Sequence, residues 1–148
     1  MPAHSPRNLQ MSRHVILDGR AIAGKIKEEL KKEIATLNAA PQLRVLYFDT
    51  PASQVYWLVQ RRVAAELGIG TGTSTSAGSW ERGSTSQPPD VTQEHIEKII
   101  QMWNRDANVH GIFVHQPMPP QIDAQRISAL IDPHKDIEGI HPQNSARR

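Results

Sequence analysis

Between Asn104 and Pro119 the chain reads NRDANVHGIFVHQPMP, and this stretch constrains the fold more than any other. Gly111–His115 is a short apolar run that ends on a histidine, and Pro117, Pro119 and Pro120 stop it from continuing. Such a run, without polar alternation, suits a strand covered on both faces, as strands in parallel sheets are. Polar groups at its carboxyl end then stand where open α/β sheets place their ligands. A second run, Leu43–Phe48 (LRVLYF), has the same character.

Helical patterns alternate with these strands. Asp18 can cap a helix over Gly19–Asn38. Ala21, Ile22, Ile26, Leu30, Ile34 and Leu37 recur at steps of three and four, which predicts one buried stripe, with the Lys and Glu residues forming a solvated opposite face. Thr50 and Pro51 suit the start of a second helix running to Leu67, and Gly68 suits its stop. A third helix begins after Thr92 and buries Ile96, Ile99, Ile100 and Trp103. A short fourth begins at Asp123 and turns Ile127, Leu130 and Ile131 inward. Val15–Leu17 reads as a short strand or hook, and Gly70–Ser76 as a weak strand. The rest of residues 68–90, rich in Gly, Ser and Thr, reads as a mobile loop, and residues from Asp132 as a polar connector without periodicity. The alternation predicts an α/β fold: a three-layer sandwich with a mostly parallel sheet, in a single domain.

Bulk properties narrow the function classes. With 148 residues, one domain is expected. The 17 basic residues against 15 acidic ones form no stripe interleaved with aromatics, which argues against nucleic acid as a partner. No cysteine is present, so disulfides, thiolate metal sites and cysteine nucleophiles are excluded. No apolar run approaches the roughly 20 residues of a membrane span. Residues 1–14 read as a disordered tail, with a weak organelle-targeting segment as the alternative and Met11 as a second possible start.

Four places carry candidate chemistry. His115 stands at the rim of the expected crevice, in a functional or a hydrogen-bonded structural role. Tyr56 and Gln60 lie one helical turn apart on one face. A tyrosine there can stack on a flat ring or simply pack in the core. Asp136 and Glu138 flank Ile137, either as carboxylates dividing acid and base roles or as solvated loop charges. His110, His134 and His141 have no metal-ligand spacing with His115, and the lone Gly-x-Gly at Gly70 and Gly72 neither follows a strong strand nor opens a helix. No metal or cofactor site is read from these residues.

Four blocks then match a known family in order and spacing: ILDGRAIA at 16–23, PASQVYWLVQRRVAAELGI at 51–69, the stretch at 104–119, and IDPHKDIEGIHPQN at 131–144. The chain resembles the N-terminal catalytic, tetrahydrofolate-binding domain of the methylenetetrahydrofolate dehydrogenase/cyclohydrolase family. The resemblance implies a site at a cleft shared with a second, Rossmann domain that carries NADP in full-length members. The implied chemistry is oxidation of methylene- to methenyl-tetrahydrofolate, then hydrolysis to the 10-formyl form, in one-carbon metabolism. It places catalytic groups at Tyr56, Gln60 and His115 and folate contacts at Tyr56, Pro117 and Glu138. The catalytic domain is expected over 15–135, with 136–148 opening the inter-domain connector. The family's Gly-rich nucleotide motif does not appear, so no cofactor and no dehydrogenase activity are expected of this chain alone. A tetrahydrofolate derivative is the expected ligand, a homodimer or partner chain is possible, and the location is cytoplasmic, or alternatively mitochondrial.

Three of the implied positions depart from the family's pattern. The family has Lys one turn after the Tyr, where this chain has Gln60. An ammonium can stabilise an oxyanion and shuttle a proton, whereas a carboxamide only hydrogen-bonds. Arg61 and Arg62 point about 100° or more away around the helix. The family's Val-Gln-Leu-Pro becomes Val114-His115-Gln116-Pro117, and Lys-Asp-Val-Asp-Gly becomes Lys135-Asp136-Ile137-Glu138-Gly139. The resemblance therefore leaves three readings: a fragment or natural truncation of a folate dehydrogenase/cyclohydrolase, weakly active or inactive alone; a cyclohydrolase using His115 as base; or a non-catalytic folate-binding or interaction module.

Overall fold

The two apolar runs pair with each other. In the computed structural model, which describes residues 18–48, 50–72 and 91–146, β1 (Gln42–Leu46) lies parallel to β3 (Gly111–Val114). Leu43, Arg44, Val45 and Leu46 stand opposite Gly111, Ile112, Phe113 and Val114. On its other side β1 pairs in parallel with β2 (Gly70–Gly72), giving the order β2-β1-β3. Parallel neighbours need crossovers. The β1–β2 crossover is α2 (Pro51–Leu67), and α3 (Gln93–Arg105) leads into β3.

Strand alternation sorts the side chains onto two faces. Leu46, Phe48, Ile112 and Val114 face α3 and α4 (Ala124–Leu130), where they join Ile96, Ile99, Ile100, Trp103, Ile127 and Ile131 in one buried core. Val45, Tyr47, Phe113 and His115 belong to the opposite face, under α2. There Tyr47 stacks on Trp57 with ring centroids 6.0 Å apart. The result is the three-layer α/β arrangement, built on a sheet of three strands among the described residues.

Local signals hold the helices where they were read. Thr50 accepts from Ser53 N–H at the start of α2, and Gly68 closes it with φ 79°. Thr92 caps α3 by accepting from His95 N–H. Asp123 caps α4 by accepting from Arg126 N–H. The far end of α3 is closed from a distance: Lys135 Nζ donates to the carbonyls of Trp103, Asn104 and Asp106 at 2.8–2.9 Å. A cation there offsets the negative end of the helix dipole as well as satisfying its last carbonyls. None of the described helices is long and apolar enough to cross a membrane.

The first helix corrects the expectation. α1 spans Gly19–Ala35, shorter than read, and none of its residues is buried. Ile22 and Ile26 are 48% and 50% exposed. α2 already covers the sheet on that side, and of the stripe Ile34 alone packs close to α2, beside Gly68. Lys27 and Lys31, read as solvated, reach Glu66 of α2 at 3.0 and 3.8 Å. The connector is also more ordered than its lack of periodicity suggested. Asp136 bridges to Ile112 beside β3, and a short helix α5 (Pro142–Ser145) follows. The weak strand is realised only over Gly70–Gly72. Residues 73–90, the 1–14 tail and the 15–17 hook lie outside the described residues.

These burials predict a sharp contrast. Ile100→Ala, at a fully buried position, should cost roughly 2–5 kcal/mol in urea unfolding. Ile26→Ala, on the open stripe, should stay within about 0.5 kcal/mol.

Candidate functional site

The carboxyl ends of β1 and β3 lie under the middle of α2. His115 continues the ladder one residue past β3, its N–H donating to Leu46 C=O at 2.8 Å. The alternation then turns its ring to the α2 face, where it is only 2% exposed. Gln60 on α2 meets it: His115 Nε2 and Gln60 Oε1 are 2.8 Å apart. With the Gln60 carboxamide oxygen turned toward the ring, Nε2 is the donor of this pair. Burial lowers the imidazole pKa below 6.5, which keeps it neutral at physiological pH.

One turn earlier on α2, Tyr56 lies over the same spot. Its ring centroid is 5.2 Å from His115 and 6.1 Å from Phe113, and half of the residue remains open. Phe113 meets His115 edge-on at 5.2 Å, and Tyr47 approaches it at 6.0 Å. The structure thus brings Tyr56, Gln60 and His115 together, and adds Tyr47 and Phe113, which the sequence reading did not single out. The signal was present in the spacing: residues 45 and 47 share a strand face, as do 113 and 115, once the two strands are known to pair.

Pro117 is exposed at the rim, two residues beyond His115, after a cis Gln116–Pro117 peptide. Glu138 reaches the strand end from the connector, its carboxylate accepting from Val114 N–H, next to His115. Burial pushes its carboxyl pKa up; the Val114 hydrogen bond opposes this, and the nearby Asp136 charge adds to it.

Asp136 has separate work. Its Oδ1 accepts from the N–H groups of Glu138, Gly139 and Ile140 at 2.9–3.2 Å. Its Oδ2 accepts from His141 N–H at 2.9 Å and Asn144 Nδ2 at 3.0 Å. Burial alone would raise this carboxyl, but those hydrogen bonds outweigh it and hold the pKa below the ordinary value. Gly139, at φ 69°, supplies the left-handed turn that lets the backbone curl around the carboxylate. The connector carboxylates are therefore neither simply solvated nor alike: Asp136 folds the loop that carries Glu138 to the sheet.

Other histidines are spent on structure. His110 Nδ1 accepts from Gln42 N–H, and the His141 ring spans Gln143 N–H and Ala129 C=O. Among the described residues no three His, Cys, Asp or Glu side chains are grouped to hold a metal.

Two predictions follow from these environments. His115 has a lower pKa folded than unfolded, so stability present above pH 6.5 is lost as pH falls through 6.5 toward the folded value. The urea midpoint should drop between pH 7 and 5, and His115→Gln should make that drop smaller. Asp136→Asn removes the charged acceptor of the loop and should cost roughly 1.5–3 kcal/mol by denaturant titration.

The same chain matches known proteins along most of its length. Residues 17–138 match the family model described as tetrahydrofolate dehydrogenase/cyclohydrolase, catalytic domain. The bifunctional protein FolD of Chlorobium chlorochromatii is 38% identical over 138 residues, covering 90% of this chain and 43% of that protein. FolD of Nitratiruptor is 36% identical over 137 residues, covering 89% of this chain and 45% of that protein. Among solved structures, the Campylobacter jejuni FolD methylenetetrahydrofolate dehydrogenase/cyclohydrolase superposes with a TM-score of 0.76 at 32% identity, covering 89% of this chain and 44% of that one. A Bombyx mori 5,10-methylenetetrahydrofolate dehydrogenase gives 0.75 at 34% identity, with 89% and 43% coverage. The chain thus spans less than half the length of these relatives. By the extent of these matches, it belongs to the tetrahydrofolate dehydrogenase/cyclohydrolase family, of which it carries the catalytic domain.

Proposed function

We propose that the crevice beneath α2 binds a tetrahydrofolate derivative, with Tyr56 beside the pterin and Glu138 hydrogen-bonding its polar edge, in one-carbon metabolism. The observation that carries this reading is the Gln60–His115 hydrogen bond across α2 and β3. The family joins the same two positions with a Lys and a Gln. The scaffold of the site is therefore kept, while its side chains have changed type.

The change bears on the chemistry. Hydrolysis of a methenyl bridge needs water to add at the bridge carbon and protons to move. Gln60 can orient a ligand but cannot exchange a proton near neutral pH. The Nε2 proton of His115 is committed to Gln60, so the ring's first role is to position that amide. Binding is retained, and hydrolysis is slowed or lost, which makes this a folate-binding module derived from an enzyme.

Hydride transfer requires a dinucleotide held against the folate. The Trypanosoma brucei relative is described in complex with an NADP cofactor. The described residues here do not fit such a group. The Gly70-x-Gly72 stretch lies inside β2, paired to Gln42–Arg44, and the side chains of Gln42 and Arg44 crowd the space above these glycines. It opens no helix toward a pyrophosphate. We assign no redox step to these residues.

A single assay checks the reading. Mixed with methenyl-tetrahydrofolate, the protein should bind it, and the chromophore should decay near the buffer rate. Tyr56→Ala should weaken binding at least tenfold. Decay well above the buffer rate that vanishes in His115→Ala would instead make His115 a catalytic base, and absence of any folate binding would overturn the assignment.

A further inference from the structure

α1 and α2 each carry an apolar row that the body of the protein leaves open. On α1, Ile22, Ile26 and Leu30 recur every four residues and stay 38–50% exposed. On α2, Val55, Leu58 and Val59 turn away from the buried Trp57 by about 100° or more and are 54–63% exposed. None of the six belongs to the site built around His115. Large apolar side chains gathered on open helix faces mark places where another surface docks.

The two rows have margins of opposite charge. Glu29 and Glu33 stand three residues after Ile26 and Leu30 on α1, and Arg61 and Arg62 stand three residues after Leu58 and Val59 on α2. Among the described residues no ion pair holds any of these four: Lys27 and Lys31 go to Glu66, Lys31 also to Glu28, Lys98 to Glu94, and Arg126 to Glu97. α2 carries no carboxylate before Glu66, so nothing on its own helix offsets the arginines. An apolar row with an acidic margin matches an apolar row with a basic one, and a single chain carries both.

We propose that the occupant of both rows is a second copy of this chain: α1 of one protomer lies on α2 of its partner, apolar row against apolar row, with Glu29 and Glu33 facing the arginines at 61 and 62. A two-fold axis makes this contact twice, which covers both rows of both protomers and leaves none open for further copies. Pairing α1 with α1, or α2 with α2, would instead set carboxylates on carboxylates or guanidiniums on guanidiniums. The apolar content is small for an interface, so the association is micromolar rather than nanomolar.

Sedimentation velocity of the whole chain, from about 1 to 300 µM, tests this. The mass should rise from the 16.5 kDa of one chain toward twice that value. Leu58→Asp should weaken association at least about tenfold. Either charge reversal, Glu29→Lys with Glu33→Lys or Arg61→Glu with Arg62→Glu, should do the same. An equimolar mixture of the two charge-reversed chains should associate as the wild type does, because each α1 then meets an α2 of opposite sign. Circular dichroism checks the fold of each variant, and if a double reversal does not fold, Glu33→Lys and Arg62→Glu alone form the mixture. A monomer at every concentration overturns the proposal, as does a dimer that Leu58→Asp leaves intact. Charge-reversed chains that fail to associate when mixed overturn it too.

Discussion

The hydrogen bond from His115 N–H to Leu46 C=O ends the β1–β3 ladder, and the register it closes decides everything above it. Because strand side chains alternate, a slip of one residue would exchange the two faces of the sheet. Leu46 and Val114 would leave the α3 core, and His115 would turn away from α2. The apolar core is what forbids that slip. Ile100, Trp103, Ile127 and Ile131 fit only the face that presents Ile112 and Val114. The position of the histidine beneath α2 is thus enforced from the other side of the sheet.

Much of this was legible in the residues because the signals were local. The α2 boundaries follow from Thr50, Pro51 and Gly68, which act within one turn of themselves. The α3 stripe is legible because Ile96, Ile99, Ile100 and Trp103 carry both the period and the burial. The α1 stripe has the same period and no burial, because periodicity names an apolar face without saying what stands opposite it. Asp136 misled for a related reason. A carboxylate collecting backbone N–H groups from its own loop looks, in sequence, like any solvated aspartate. For His115 the structural reading left open from sequence is met, since the ring is buried and in contact with Gln60; its place beneath α2 is what the folate proposal builds on.

The Gln60–His115 pair ties α2 to the end of β3 with a 2.8 Å contact. Tyr56, one turn earlier on α2, lies over the same histidine with its ring centroid 5.2 Å away. Scaffold and reactivity are separable here. The geometry rests on the β ladder, and the reactivity on two side-chain heads, a carboxamide that only hydrogen-bonds and an imidazole that can also take up a proton.

The attachment of α1 has a consequence of its own. Its described ties to the body include Lys27 and Lys31 on Glu66, whose carboxyl the Lys27 contact holds below its ordinary pKa, and Ile34 against Gly68 at the end of α2. Ion pairs at a partly exposed seam weaken as ionic strength rises, while packing of the α3 kind does not. Amide hydrogens in α1 would then exchange far sooner than those in α3, and salt would widen the gap between them. One outer layer is held by a buried apolar core and the other partly by ion pairs at an exposed seam, and only the second answers to the ionic strength of the surroundings.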